Sequence, residues 1–267
     1  MTPSVSLIIS VYKNTEALLL ILKSINLQSF NGPVEVIIAE DNDSTEMKNA
    51  IKSFSPNPNI TIKHIQQEDL KFRKCKILNT AIRNATSPYL IFIDGDCILH
   101  PHFIKSHLKF KQSKQVLFGR RVMLSKSLSD KLIKENSIKR LGLFNCLIHQ
   151  CKRIDAALYL PFLKPKQKSG FWGCNWSIFK EDIELVGGFD EQYNEPGIGE
   201  DTDINWRLEQ CGIHSLQIKN HAIQYHLFHP ENYSNTAKME SILAQKKETY
   251  SINQSHKTLM GSLNIKG

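Results

Sequence analysis

The chain has 267 residues, of which 41% are hydrophobic and 22% are charged, and its formal net charge is +8. A chain of this length can bury a substantial core, and the composition is that of an ordinary globular protein. No uncharged stretch is long enough to cross a membrane, and no basic motif interleaved with aromatic residues indicates a nucleic-acid reader. We therefore expect a folded protein with no nucleic-acid partner.

Charge and cysteine usage indicate where the protein works. The excess lysines are spread along the middle of the chain, as between Lys105 and Lys114 or between Lys131 and Lys139. Such lysines usually form a solvated face; the alternative is attraction to an anionic membrane leaflet or to an acidic glycan. Six cysteines without a Cys-x-x-Cys pair or zinc spacing, and without a signal-peptide pattern, predict reduced and mostly buried thiols. We expect a cytoplasmic protein, with peripheral contact at the anionic inner face of the cell membrane as a further option.

The first hundred residues alternate between strand and helix patterns. Apolar strand patterns cover residues 5–11, 34–39, 60–65 and 89–93, and amphipathic helical patterns cover 15–28, 44–54 and 74–85. Strand–helix units of this length pair their strands in parallel through right-handed crossovers. The sequence therefore predicts an α/β fold with a mostly parallel central sheet, flanked by helices, and a Rossmann-like N-terminal half.

The second half of the chain has a less regular pattern. Helices are expected at residues 101–112, 129–150, 181–186 and 204–210, strands at 116–124 and 221–225, and an aromatic, glycine-containing segment at 171–179. Beyond residue 233 the chain is polar and its pattern predicts a helical tail.

Two carboxylates follow the fourth predicted strand. Asp94 and Asp96 are separated by a single glycine, at the strand end where open α/β sheets bind ligands. Adjacent acids repel unless a cation lies between them, and carboxylate oxygens suit Mg²⁺ or Mn²⁺ carrying a phosphorylated ligand. The alternative is an acidic turn without a function, since Asp-x-Asp often occurs by chance.

A second acidic group lies at residues 197–203. Two glycines precede Glu200 and Asp201 at the start of a predicted helix, where the helix dipole favours acids. A helix N-cap needs no further function. The functional interpretation is a carboxylate general base.

Two histidines, His226 and His229, follow the last predicted strand. A lone histidine is usually a core residue, but a pair at this spacing can bring imidazole to a carboxylate-bound metal. Imidazole ligands shift the preference from Mg²⁺ toward Mn²⁺ or another transition metal.

Taken in order, these motifs resemble the family 2 nucleotide-sugar glycosyltransferases, which have the A-type glycosyltransferase fold. The resemblance runs from about Val5 to Pro230 and rests on residues 5–14, 35–44, 67–79, 94–96, 173–177, 187–191 and 199–207. The C-terminal motifs are similar to those of chondroitin-polymerase-like enzymes and β-1,4-galactosyltransferases.

The resemblance implies roles in donor binding for five residues. They are Tyr12, Asp41, Arg73, Asp94 and Asp96. Tyr12 belongs to the first loop, where the nucleotide base docks, Asp41 matches an acid that contacts uracil, and Arg73 is a candidate base contact. The turn at residues 40–44 departs from the usual Asp-Asp-Gly-Ser of the family, because Glu40 replaces its first acid.

The resemblance also implies roles in catalysis and metal binding. Asp201 would be the catalytic base and Glu200 would orient the acceptor, while Asp96, Asp94 and either His226 or His229 would hold Mn²⁺ or Mg²⁺. Acceptor-binding candidates are Trp176, Asn175 and Asp203.

The expected function is a metal-dependent, inverting transfer of a hexose or N-acetylhexosamine from a UDP-sugar to a hydroxyl of a glycan or lipid-linked acceptor, in bacterial surface polysaccharide or lipopolysaccharide synthesis. Residues 1–97 would bind the donor, residues 98–233 would bind the acceptor and carry catalysis, and residues 234–267 would form the tail. The alternatives are a nucleotidyltransferase of sugar phosphates and a non-catalytic glycan-binding module.

Overall fold

Four N-terminal strands pair in parallel, as the sequence predicts. The computed structural model describes residues 2–196, 199–230, 236–253 and 260–263. Strands β1 (Val5–Val11), β2 (Val34–Glu40), β3 (Ile60–Gln66) and β4 (Tyr89–Asp94) lie in the order β3-β2-β1-β4, and every neighbouring pair is parallel. They are connected through helices α1 (Thr15–Asn26), α2 (Thr45–Ser53) and α3 (Lys74–Asn84). The apolar side chains of β1 are almost wholly buried, which explains its continuous apolar run.

The later strands extend this sheet on the β4 side and form a smaller second sheet. They are β5 (Cys97–Leu99), β6 (Gln115–Phe118), β7 (Arg120–Met123), β8 (Lys166–Gln167), β9 (Asn175–Phe179), β10 (His214–Gln217) and β11 (Ile223–His226). Among the described residues the large sheet has the order β3-β2-β1-β4-β9-β6-β10-β8. The central strand β9 is antiparallel to both β4 and β6, so the sheet is mixed rather than parallel throughout.

The small sheet has the order β5-β11-β7. Strand β11 is antiparallel to β5, with His226 opposite Cys97. Because Cys97 directly follows Asp96, this register places a histidine beside the second acid of the Asp-Gly-Asp turn.

Two predicted elements are interrupted. The strand expected at 116–124 is divided at Gly119 into β6 and β7, which belong to different sheets. A Cβ at Gly119 would lie 2.4 Å from the carbonyl oxygen of Ala222, so the chain crosses there at a distance that only glycine permits. The helix expected at 129–150 is instead α5 (Lys126–Glu135) and α6 (Leu143–Ile148), because Asn136 ends α5 in the left-handed conformation.

The remaining helices are α4 (Phe103–Phe110), α7 (Lys180–Leu185), α8 (Glu200–Gln210) and α9 (Thr236–Asn253), with a 3₁₀ turn at Ile154–Ala157. Helix α9 covers residues 236–253 of the polar C-terminal segment. Its Lys246 pairs with Asp190 and Asp203, so the tail is tied to the domain. Residues 234, 235, 254–259 and 264–267 of the predicted tail lie outside the described residues.

Within the described part of the chain, none of the helices has the length and apolar character that crossing a bilayer requires. The cysteines are unpaired, and all except Cys211 are buried.

Candidate active site

Three side chains converge at the carboxyl end of β4. The Oδ2 atom of Asp96 lies 3.3 Å from Nε2 of His226 and 3.2 Å from Nε2 of His229. One ligand atom from each residue can be chosen so that all three lie within 4.8 Å of one another. The sequence left open which histidine joins Asp96; the structure brings both to the same carboxylate oxygen.

Gly95 allows the acidic turn to lie against β1. A Cβ at this position would lie 2.8 Å from the carbonyl oxygen of Ser10 and 2.9 Å from the Cα of Val11. The backbone amide of Leu227 donates to the carbonyl oxygen of Asp96 at 2.9 Å, which fixes the histidine segment to the turn. Backbone contacts on two sides therefore position the Asp96 carboxylate.

The charges of this group are strongly coupled. Burial alone would raise the pKa of Asp96, but the hydrogen bond from His229 and the nearby imidazoles lower this pKa to about 2. The hydrogen bond to Asp96 raises the pKa of His229 to about 9. Burial lowers the pKa of His226. One carboxylate oxygen and two imidazole nitrogens on one centre form a donor set that fits Mn²⁺ or another divalent transition metal better than Mg²⁺.

Asp94 lies outside this group and contacts a lysine instead. Its Oδ1 atom lies 2.9 Å from Nζ of Lys74, and the same ammonium lies 3.4 Å from Oε1 of Glu200. Lys74 therefore joins the Asp-Gly-Asp turn to the Glu-Asp pair at the start of α8. Asp94 is thus not among the residues that converge on Asp96, and its assistance to a metal, directly or through water, stays a prediction.

Sequence reasoning missed Lys74. This lysine begins α3, whose first turn has no acidic residue. A cation at a helix N-terminus is disfavoured by the helix dipole. The position of Lys74 in the sequence therefore indicated that a negative group lies near it. Burial would lower the pKa of Lys74, but Asp94 and Glu200 raise this pKa well above its usual range.

The Glu-Asp pair occupies the first turn of α8, which begins earlier than predicted. The amide of Gly173 donates to Oδ2 of Asp201 at 3.1 Å and orients this carboxylate. Burial raises the pKa of Glu200, partly offset by Lys74. Gly197, the first of the two glycines that precede the pair, and Ile198 lie outside the described residues.

A small pocket lies between the two acidic motifs. Its polar lining includes Lys74, Asp94 and Glu200, and its apolar floor includes Phe92 and Trp176. One acid of each motif, Asp94 and Glu200, thus lines the same concave space at the carboxyl end of β4.

The donor-binding candidates of the first half surround the end of β2. Asp41 is buried, and its carboxylate accepts hydrogen bonds from the backbone amide of Arg73, at 2.7 Å, and from the side chain of Gln67. The Arg73 guanidinium donates to the carbonyl oxygen of Glu68. Tyr12 is 53% exposed and remains accessible to a planar ligand. Asp41 and Arg73 thus shape this region through contacts with the chain itself.

Glu40, which departs from the family pattern, has a structural role. It is fully buried and accepts hydrogen bonds from Nε2 of His64 at 2.7 Å, from the side chain of Gln66 and from the amide of Ser44. Its carboxylate thus holds the turn at residues 40–44 together.

The three acceptor-binding candidates lie in the interior, so direct contact with an acceptor does not fit their positions. Trp176 is fully buried and stacks on Phe92 with a centroid distance of 4.3 Å. The amide of Asn175 donates to the carbonyl oxygens of Arg120 and Ala222.

The third candidate, Asp203, is fully buried and paired with Arg207 at 2.6 Å and with Lys246 at 2.8 Å. Residues that hold the backbone around an active site and residues that contact a ligand are both polar or aromatic. The sequence alone therefore did not distinguish these two roles.

Comparison with known proteins gives a family and a fold. The profile described as glycosyl transferase family 2 matches residues 6–186, and a profile described as the N-terminal domain of galactosyltransferase matches residues 159–230. Among solved structures, GalNAc-T7 with UDP, GalNAc and Mn²⁺ superposes with a TM-score of 0.63 at 15% identity, covering 91% of this chain and 48% of that chain. The mannosyltransferase from Pyrobaculum calidifontis, in complex with GDP-Man and Mn²⁺, has a TM-score of 0.58 at 14% identity, covering 87% of this chain and 59% of that one.

Two relatives show similarity in sequence. Validoxylamine A glucosyltransferase of Streptomyces hygroscopicus subsp. jinggangensis is 27% identical over 197 residues, covering 67% of this chain and 44% of the relative. Chondroitin synthase of Escherichia coli is 24% identical over 266 residues, covering 90% of this chain and 37% of the relative. The chain thus spans less than half the length of these relatives. With the family profile covering most of the described domain, the protein belongs to glycosyl transferase family 2 and is a glycosyltransferase with the A-type fold.

Proposed function

We propose that this glycosyltransferase moves a hexose or N-acetylhexosamine from a UDP-sugar to a hydroxyl of a glycan or lipid-linked acceptor, with inversion and with a divalent metal. The observation that carries the proposal is the link through Lys74. It joins the carboxylate turn at Asp94 to the acidic start of α8 at Glu200, so that one pocket holds both motifs.

Asp96, His226 and His229 would hold Mn²⁺, or Mg²⁺ with less preference. The bound ion would supply positive charge to the diphosphate of the leaving UDP. Two structural neighbours were solved with Mn²⁺, one together with GDP-Man and the other together with UDP and GalNAc, which supports a nucleotide-sugar donor and a divalent ion.

Asp201 acts as the base in this proposal. Its Oδ2 atom is held by the Gly173 amide, which aims the carboxylate at an acceptor hydroxyl as that oxygen attacks the anomeric carbon. A single displacement of this kind inverts the anomeric configuration and needs no enzyme nucleophile. Glu200 orients the acceptor, and Lys74 keeps the acids of the pocket from repelling each other.

Residues 1–97 form the donor-binding half in this proposal, and residues 98–233 form the acceptor-binding and catalytic half. The exposed ring of Tyr12 is the best candidate for contact with the base. The backbone amide of Arg73 donates to the carboxylate of Asp41, and this hydrogen bond supports that region. The process we propose is synthesis of a bacterial surface polysaccharide or lipopolysaccharide, as suggested by the chondroitin synthase similarity.

The test is release of nucleoside diphosphate from a panel of UDP-sugars and GDP-mannose, with Mn²⁺ and with or without glycan acceptors. A glycosyltransferase releases UDP from the true donor, and thermal stabilisation by that donor exceeds stabilisation by UDP alone. Release of pyrophosphate from a nucleoside triphosphate and a sugar phosphate would instead indicate a nucleotidyltransferase. Glycan binding without release of any nucleotide would indicate a binding module.

We further propose that α6 places the enzyme on an anionic membrane. The exposed fractions of its Leu143, Phe144, Leu147 and Ile148 are 37%, 72%, 54% and 58%. Exposed Lys139 and Arg140 immediately precede this helix. Large apolar side chains beside cations match the interface of a bilayer with acidic headgroups.

Vesicle flotation tests the membrane contact. Binding should require phosphatidylglycerol in phosphatidylcholine vesicles, and Phe144→Ser should reduce it, whereas Leu27→Ser, at another exposed apolar position, should not. Equal flotation of the two variants, or no flotation of the wild type, would refute the contact.

A further inference from the structure

Three arginines surround one tryptophan beside the candidate active site. The Cζ atoms of Arg120, Arg121 and Arg153 lie 4.6 Å, 5.3 Å and 4.5 Å from the ring centre of Trp172. Arg120 and Arg121 begin β7, Arg153 precedes the 3₁₀ turn, and Trp172 lies just before β9. Two separate segments thus bring three positive charges around a tryptophan from a third segment, and we call these three arginines the arginine cluster.

The arginine cluster has no direct carboxylate partner among the described residues, although Asp94 and Asp96 attract Arg121 at longer range. In the part of the chain that the structure describes, none of its guanidinium groups forms an ion pair with a carboxylate, in contrast to Arg207, which pairs with Asp203. The Nε atom of Arg121 is buried without a hydrogen-bond partner among those residues. Stacking on an indole offsets part of the repulsion between like charges, but it satisfies none of the guanidinium N–H donors.

The arginine cluster lies next to the segment that orients Asp201. Trp172 precedes Gly173, whose amide holds Oδ2 of Asp201 at 3.1 Å. The backbone of Arg120 is fixed from the other side, because its carbonyl oxygen accepts from Nδ2 of Asn175 at 3.1 Å. Asn175, which the sequence placed at the acceptor, thus acts indirectly by holding this arginine.

We propose that Arg120, Arg121 and Arg153, ordered by Trp172, form an anion-binding subsite for an oxyanion of the acceptor. The inference rests on the proposed function, since it names the acceptor class of the same site. Each guanidinium group can donate two parallel hydrogen bonds to the oxygens of a carboxylate or a phosphate. Three such groups together favour an acidic group over a neutral sugar. The acceptor is therefore a glycan that carries a uronate carboxylate or a phosphate near the hydroxyl that reacts.

Calorimetry at fixed ionic strength tests this subsite without turnover. The probes are an oligosaccharide ending in glucuronate, the same oligosaccharide ending in glucose, glucose 1-phosphate, and UDP with Mn²⁺. We expect an acidic probe to bind at least about tenfold more tightly than the neutral one, as charge-assisted hydrogen bonds imply. Tighter binding of the glucuronate probe would indicate a carboxylate, and tighter binding of glucose 1-phosphate would indicate a phosphate.

Variants assign the preference to the cluster. Arg153→Gln should remove most of the preference, and Arg153→Lys should retain part of it, because lysine keeps the charge but lacks the planar fork. Arg83→Gln, at an exposed arginine of α3 whose guanidinium donates to the hydroxyl of Thr80, should leave the preference intact. Circular dichroism of each variant verifies that the fold is retained.

Two results would overturn the proposal. One is equal affinity of the wild type for acidic and neutral probes. The other is a loss of UDP affinity in Arg153→Gln as large as the loss for the acidic probe, which would assign the cluster to the donor diphosphate. Preference for an acidic probe without release of UDP from any nucleotide sugar would refute the proposed function and leave the subsite standing.

Discussion

The ammonium of Lys74 lies 2.9 Å from Oδ1 of Asp94, so the first acid of the Asp-Gly-Asp turn is paired by the chain itself. The two acids of this turn look equivalent in sequence but have different contacts in the structure. Asp96 faces the two histidines, while Asp94 faces the pocket shared with Glu200. The positive charge of Lys74 reduces the repulsion between the carboxylates of Asp94 and Glu200, so that both can lie in one small pocket without a bound cation.

Replacing Lys74 with methionine should impair both transfer and stability. Removing one partner of a largely buried ionic group leaves Asp94 and Glu200 without their cation, at a cost of about 3 kcal/mol in the free energy of unfolding. Urea denaturation measures this cost, and UDP release measures the activity. Lys126→Met removes an exposed pair with Asp130 and should change both by little. Full activity in Lys74→Met would contradict the role given to this lysine.

Replacement by asparagine should affect activity at Asp201 and stability at Asp203. Asp201→Asn should lower transfer by a factor of about 10² to 10⁴ while UDP affinity and stability stay near those of the wild type, because the base alone is lost. Asp203→Asn should instead destabilise the fold by about 3 kcal/mol, because Arg207 and Lys246 lose a buried partner. Thermal unfolding and transfer assays on both variants separate the two roles. Comparable loss of UDP binding in Asp201→Asn would remove this residue from the base role.

Removing the metal should stop transfer. Chelation should abolish UDP release, and Mn²⁺ should restore it more effectively than Mg²⁺, because two imidazole nitrogens join Asp96. His226→Ala and His229→Ala should each raise the Mn²⁺ concentration needed for half-maximal activity by roughly tenfold or more. His214→Ala, at an exposed position on β10, is the matched control. Turnover that persists after complete chelation is incompatible with this site.

Glu40 should make stability sensitive to acid. Burial alone would raise the pKa of Glu40, but hydrogen bonds from His64, Ser44 and Gln66 lower it below its ordinary value of 4.5. The folded state therefore gains stability above the unfolded-state pKa and loses it as the pH falls through the folded-state pKa. Urea midpoints measured between about pH 3 and about pH 6, the range in which carboxyl groups titrate, should decline less steeply in Glu40→Gln than in the wild type. Glu46→Gln, at an exposed position of α2, should follow the wild-type slope.

The N-terminal half of the fold was predictable because each element there is defined locally. The apolar runs of β1 and β4 have strand length, and Ser44 caps α2 by accepting from the amide of Met47. The long helix expected at 129–150 was wrong because its amphipathic pattern continues through Asn136, where the backbone turns left-handed. A hydrophobic pattern alone does not reveal such a break.

By itself, the sequence determined the family, the parallel N-terminal strands, and the residue types that meet at the carboxyl end of β4. Those features depend on neighbours along the chain and on motif order. Tertiary structure alone decided that both histidines face Asp96, that Lys74 pairs with Asp94, and that Trp176 is a core residue. The physical reason is that these contacts join segments far apart in sequence, whose distances are set by strand register and side-chain packing rather than by local pattern.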